Sequence, residues 1–274
     1  MSRKPYRFGL VLSGGGAKAL AHVGVLRLLE EMGLRPDLIA GTSAGSIVGA
    51  MYAYGIKPAS IQSFFEVTPL FHWGNRRFLN GRSFNGILDP HIIRRVFEPY
   101  FPVDDFSKTE IELKVVATDM QAAKERVFEK RGSIIDAVLA SSAYPFVFAP
   151  MEIDGVLYSD GGILNHFPVS TIRACCDFLL GVYVSPIRQY EKQELNSVQS
   201  VVLRAMSIQG DKAELDKFED CDAVVFPQDL IKYNTFNTEQ GVLREIVEVG
   251  YQEALKVKPT LEALKTQLEP DFQF

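Results

Sequence analysis

The first 55 residues constrain the fold more tightly than anything after them, because twice in succession an apolar run ends in a turn of small residues. "FGLVLS" (Phe8 to Ser13) is a short apolar run of the kind that forms a strand buried on both faces. It gives way to Gly14, Gly15 and Gly16 and then to "AKALAHVGVLRLLEEMG", where Val25, Leu28, Leu29 and Met32 recur at helical spacing. Gly33 supplies the stop. A second run, "DLIA", passes into "GTSAGS", after which Ile47, Ala50, Met51 and Tyr54 repeat the helical spacing as far as Gly55. A helical crossover between two strands makes them parallel and neighbouring. Both turns then open at the C-terminal edge of one sheet, where open α/β folds bind ligands. With about 30 residues between them, "GGG" and "GTSAG" come to lie side by side.

Ser43 stands between Gly41 and Gly45 in a G-x-S-x-G pattern, the mark of a sharp strand-to-helix turn that exposes a nucleophilic hydroxyl. Taken alone the pattern is weak. The flanking glycines suit such a turn because a Cβ there is expected to collide with neighbouring strands. A serine also needs a base to take its proton and preorganised donors for the oxyanion. The N–H groups of Gly14, Gly15 and Gly16 qualify as donors, at a helix N-terminus whose partial positive charge favours an anion. A nucleotide-phosphate loop fits less well. Lys18 is followed by Ala19 and Leu20 rather than Ser or Thr, and the second strand ends in the Ser43 turn where a dinucleotide site wants an acid.

For the base there are four histidines, His22, His72, His91 and His166, none late enough for the order of an α/β-hydrolase. Asp160, in "YSDGGILNHFPV", follows an apolar strand and is expected to project from the same C-terminal sheet edge. On residues alone "DGG" reads equally as a plain turn.

Whole-chain properties narrow the class. A net charge of −5 over 274 residues argues against nucleic acid as a partner. Cys175, Cys176 and Cys221 make no disulfide framework and no zinc spacing, so a reducing cytoplasm is the default and no metal is expected. No run of about 18 apolar residues is present to span a bilayer. Further strands are expected at "LKVVAT", "VLYS", "FLLGVYV" and "AVVF". Helices are expected at "SIIDAVLASSA" with Ser133 as its N-cap, from about Leu195 to Glu219, at "GVLREIVEVGYQEALKV" and at "LEALKTQL". No repeat or linker divides the chain, so one domain over 1–274 is expected. The segment 64–84, within a candidate lid or insertion spanning about 64–101, gathers aromatics and three arginines. It reads either as core beside the second helix or as apolar surface for peripheral contact with the inner membrane face.

"GGGAK…AHVGVL", "GTSAGS", "ATD", "ASSAYPFVFAP" and "DGGILNHFPV" occur in the order and spacing of the patatin-like phospholipase family, and the chain resembles its small bacterial members from about Phe8 to Val169. The resemblance implies a three-layer α/β fold, distinct from the α/β-hydrolase fold, with a mostly parallel sheet flanked by helices. It implies a Ser43–Asp160 dyad, an oxyanion hole at Gly14, Gly15 and Gly16, no cofactor, and lipid esters such as phospholipids or lysophospholipids as substrates. Lys18, Gly41, Gly45, Gly161, Gly162 and His166 would support the site. Asn165, Pro168 and Pro145 would brace the turns around it, and His22 would pack beneath the glycine loop. Two positions depart from the family pattern: Ala19 replaces a usual glycine, and His166 a usual asparagine. His166 is expected either to orient Asp160 or to serve as a structural donor, and Lys18 to be either a surface charge or a group that positions the loop or attracts anionic head groups. Acyl transfer by the same dyad and a catalytically silent lipid binder are the alternatives. The sequence does not speak to oligomeric state.

Overall fold

The computed structural model describes residues 4–68, 90–145, 147–237 and 239–268. Among these, eight strands form one mixed sheet: β1 (Tyr6–Leu12), β2 (Leu38–Thr42), β3 (Glu112–Asp119), β4 (Lys124–Glu129), β5 (Met151–Ile153), β6 (Val156–Asp160), β7 (Cys176–Val182) and β8 (Ala223–Val225). The centre is parallel, with β1 pairing β2 and β7, β2 pairing β3, and β7 pairing β8. The β3–β4, β3–β6 and β5–β6 pairings are antiparallel. All four later strands expected from the sequence are present, and β4 and β5 are additional.

Side chains alternate across the sheet as the pleat requires. Phe8, Leu10, Leu12 and Ile39 face one core, and Val11, Leu38 and Ala40 face the other. The larger core is closed by α1 (Leu20–Glu31), α2 (Ala44–Ala53), α3 (Pro58–Val67), α5 (Ile134–Ser141), α7 (Gln240–Lys256) and α8 (Lys258–Leu268). α4 (Pro90–Phe97) leads into the same core through Phe97. The smaller core is covered by Phe167, Val169 and Ile172, with Leu215 and Phe218 packed against it from the end of α6 (Val198–Asp216) and the turn after it. Ser133 caps α5 as its sequence suggests, accepting from Asp136 N–H at 2.9 Å. No helix among the described residues is long and apolar enough to cross a membrane. Of the aromatic segment 64–84, residues 69–84 lie outside the described residues. Phe64 and Phe65 are buried in the core.

One topological detail positions everything that follows. β4 runs along one edge of β3 from Lys114 to Asp119. On the opposite edge β2 pairs only as far as Thr42–Val116, and β6 takes over at Asp160–Ala117. β2 and β6 therefore approach head-on along a single edge of β3, and their last residues occupy successive positions.

Candidate active site

The chain turns at Ser43 with φ 53° and ψ −132°, a backbone region that side chains other than glycine rarely occupy. Several contacts hold it there. Its N–H donates to Ser141 Oγ at 2.8 Å, and Ser141 Oγ donates in turn to Val116 O at 2.6 Å. Ser46 Oγ donates to Ser43 O at 2.6 Å. A Cβ at Gly45 would stand 2.3 Å from Ser13 O of the chain leaving β1, the strand collision expected. At Gly41 the obstacle is different: the first turn of α2, with Ser46 Cα at 2.8 Å.

Asp160 does not stand past its strand on a parallel neighbour. It is the last residue of β6, which enters from the C-terminal edge and runs back toward β2. The meeting of the two strands puts Ser43 Oγ 2.6 Å from Asp160 Oδ2, to which it donates. Oδ1 accepts the Gly162 N–H at 2.7 Å, so the turn reading of "DGG" and the dyad reading hold at once, one oxygen each. Gly161 passes so close to β3 that a Cβ would meet Val116 O at 2.2 Å, with Thr42 Cγ2 at the end of β2 3.0 Å away. Asp160 is buried, and burial pushes its carboxyl up to about 6 against the opposing pull of the Ser43 and Gly162 hydrogen bonds.

The glycine loop divides its labour. Gly14 N–H donates to His166 O at 3.1 Å, so it is not available to an oxyanion. Gly15 and Gly16 line the cavity at Ser43, and their N–H groups have no acceptor among the described residues. Gly16 adopts φ 57°, and a Cβ there would meet Thr235 O at 2.5 Å. That carbonyl accepts the Ala17 N–H at 2.8 Å, so the segment after β8 pins the loop.

The supporting residues sort themselves by burial. Lys18 is buried and lines the cavity, which removes the surface-charge reading. His22 Nε2 donates to Ser13 O at 2.9 Å beneath the loop, and its Nδ1 is buried without a partner. His166 also lines the cavity, but its Nε2 meets Ser185 Oγ at 3.0 Å and no hydrogen bond joins its ring to Asp160. Burial pushes both imidazoles down to about 4, so they are neutral near pH 7. Asn165 has both ends of its amide engaged, donating to Glu125 Oε2 and accepting from Lys217 Nζ, while its carbonyl accepts from Thr42 Oγ1.

The cavity over Ser43 measures about 470 Å³, within the range of small-molecule sites. Its apolar lining includes Ile47, Phe97, Val138, Leu139 and Val147, all buried. Ser185, Arg188, Tyr190, Arg204 and Thr235 are among its polar lining. None of these five, nor Ser141, stood out in the sequence. The five sit in connections and on a mixed-charge helix, where no motif or period marks them; Ser141 lies inside "ASSAYPFVFAP", but nothing in that stretch singles it out from Ser142 beside it.

A protein-family model described as patatin-like phospholipase matches residues 10–172, more than half of the chain. An uncharacterized NTE family protein of Mycobacterium tuberculosis is 36% identical over 176 residues, covering 61% of this chain and 45% of that protein. Lysophospholipase NTE1 of Candida glabrata is 29% identical over 193 residues, 65% of this chain and 10% of that protein. Among solved structures, VipD from Legionella pneumophila shares the fold, with a TM-score of 0.52 and 16% identity over 93% of this chain and 67% of that one. The chain thus spans less than half the length of these curated relatives.

Proposed function

The chain belongs to the patatin-like phospholipase family, and from that premise we propose that it is a serine hydrolase cleaving ester-linked acyl chains of lysophospholipids and related lipids. One observation carries the proposal: the 2.6 Å hydrogen bond from Ser43 Oγ to a buried carboxylate, on a strained turn at the floor of a half-apolar cavity. Support also comes from the neighbouring Gly15 and Gly16 N–H groups and from the named activity of the Candida relative.

In this mechanism the acyl chain lies against the apolar lining and its carbonyl carbon faces Ser43 Oγ. Asp160 takes the hydroxyl proton as Oγ attacks. Negative charge develops on the carbonyl oxygen, where Gly15 and Gly16 N–H groups are the proposed donors and Gly14 only fixes the loop. Collapse breaks the ester C–O bond, and the departing alcohol takes the proton from Asp160. A water then attacks the acyl-serine, gives its proton to Asp160, and the fatty acid leaves as that proton returns to Ser43. An ordinary carboxylate near pKa 3.9 is a poor base for an alcohol; burial that raises Asp160 to about 6 makes it a better one.

The test is labelling by a fluorophosphonate together with turnover of a lysophospholipid. Ser43→Ala should abolish both, and Asp160→Asn should lower kcat/KM by a factor of about 10² or more. For the wild type, kcat/KM should rise with pH through an apparent pKa near 6 and then level, since Asp160 must be ionised to act. A folded chain that does not label, or an Asp160→Asn variant of undiminished turnover, would refute the proposal.

A further inference from the structure

The loop that leaves β7 starts at the glycine loop, where Ser185 Oγ donates to Gly14 O at 3.2 Å, and carries Arg188 and Tyr190 out along the cavity wall. α6 lies against this loop and contributes Ser200, Leu203, Arg204 and Ser207 to the lining. The two guanidinium groups converge on one ring: Arg188 is 4.7 Å and Arg204 4.5 Å from the centroid of Tyr190. Arg188 pairs with Glu194. Arg204 has no carboxylate partner among the described residues. Its Nη2 donates to Arg188 O at 2.9 Å and its Nη1 to Ser207 Oγ at 3.2 Å, which leaves donors of the five-donor fork unused. Tyr190 is 42% exposed, so the cluster sits at the wet mouth of the cavity.

The charge balance is unusual for this molecule. The cavity is lined by Lys18, Arg188 and Arg204 against Asp160 and Glu194, a cationic excess in a chain whose net charge is −5. Two like charges brought onto one ring repel, and only one of them is neutralised internally. A planar guanidinium with unused donors is suited to a phosphate, which it can hold through paired charge-assisted hydrogen bonds. Residues 188, 190 and 204 also lie beyond 10–172, so the match to the family model does not account for them.

Resting on the hydrolase proposal for the choice of ligand, we propose that Arg204, with Arg188 and Tyr190, forms a site for the phosphate of a lipid headgroup at the exposed part of the cavity lining. The site selects anionic amphiphiles over neutral ones of equal chain length. Glu194 competes with the phosphate for Arg188 and sets the affinity below its maximum.

Calorimetric titration with decyl phosphate, decanol and inorganic phosphate, below micellar concentrations, tests this. None of the three contains a carboxylic ester, so the outcome does not depend on Ser43 being a nucleophile; failure of the hydrolase reading would show instead as absent fluorophosphonate labelling. Decyl phosphate should bind the wild-type chain about tenfold or more tighter than decanol, and Arg204→Gln should reduce that ratio about tenfold. Glu194→Gln keeps an acceptor for the Glu191 N–H and should raise the ratio about two- to fivefold. A ratio unchanged in Arg204→Gln, or decyl phosphate and decanol binding equally to the wild type, overturns the site. Inorganic phosphate binding as tightly as decyl phosphate would assign it to free phosphate and overturn the lipid reading.

Discussion

Asp160 is stabilised in the fold mainly in its protonated form, while the proposed chemistry uses the ionised one. Desolvation raises its carboxyl from near 4 to about 6, a difference of about two pKa units and hence about 3 kcal/mol of stability. The sign follows from proton counts. Between the two values the folded chain holds a proton that the unfolded chain has lost, so this contribution falls as pH rises and is gone above about 6. Asp160→Asn keeps an Oδ1 for Gly162 and carries no charge at any pH. It should therefore be more stable than the wild type at pH 7.5 by up to about 3 kcal/mol, and the gain should vanish near pH 4. Urea midpoints of the two proteins at both values check this, and an equal difference at both would deny the burial cost. Ser43 was legible in the sequence from its glycine-flanked turn, whereas Asp160 was singled out as its partner only by the family resemblance, since "DGG" alone reads as a plain turn. The role of Gly14 was not legible, because three consecutive glycines look alike until the His166 carbonyl claims one N–H.

Helix α1 shows how an element far from the nucleophile can set its surroundings. It crosses α7 at backbone contact: a Cβ at Gly24 would meet Val247 O at 2.1 Å, and one at Gly250 would meet Ala21 O at 2.0 Å. Ala21 is followed by His22, whose ring holds the Ser13 carbonyl at the base of the glycine loop. Gly250→Ala leaves α7 as good a helix or better by propensity, yet should destabilise the protein by about 1–3 kcal/mol because neither backbone can yield. Thermal or urea unfolding would reveal it; an unchanged or raised midpoint would mean that the crossing relaxes freely. The sequence placed Gly250 within an expected helix, "GVLREIVEVGYQEALKV", but could not say what it touched. Strand direction was equally hidden. "VLYSD" reads the same in a parallel or an antiparallel pairing, so the head-on meeting of β2 and β6 had no sequence signal. α6 was legible only as a helix, since it turns Ser200, Arg204 and Ser207 to the cavity while Val198, Val201 and Ile208 are exposed, the reverse of ordinary amphipathic order.

At the scale of the whole molecule, acid brings opposing groups into play. His22 and His166 are both buried and neutral, their imidazoles pushed from 6.5 down to about 4 by desolvation. Below pH 6.5 the unfolded chain binds protons that these two rings refuse, so each removes stability as pH falls toward 4, about 3 kcal/mol apiece. Asp160 works in the opposite direction over nearly the same interval and offsets roughly one of them. Glu214, buried between His166 N–H, Phe167 N–H and Lys217, is also raised and sides with Asp160, while Glu66, Asp105 and Glu248 are lowered and side with the histidines. The net expectation is a loss of about 3 kcal/mol between pH 6.5 and 4 in the wild type and about twice that in Asp160→Asn, a large share of the stability of an ordinary domain. Urea midpoints across that interval would show two curves far apart at pH 7 and converging in acid. Parallel curves would mean that Asp160 is solvated in the fold, and a flat wild-type curve that the two imidazoles reach water. The carboxylate that would serve the reaction at neutral pH is thus the same group that protects the fold in acid, because both effects arise from its removal from water.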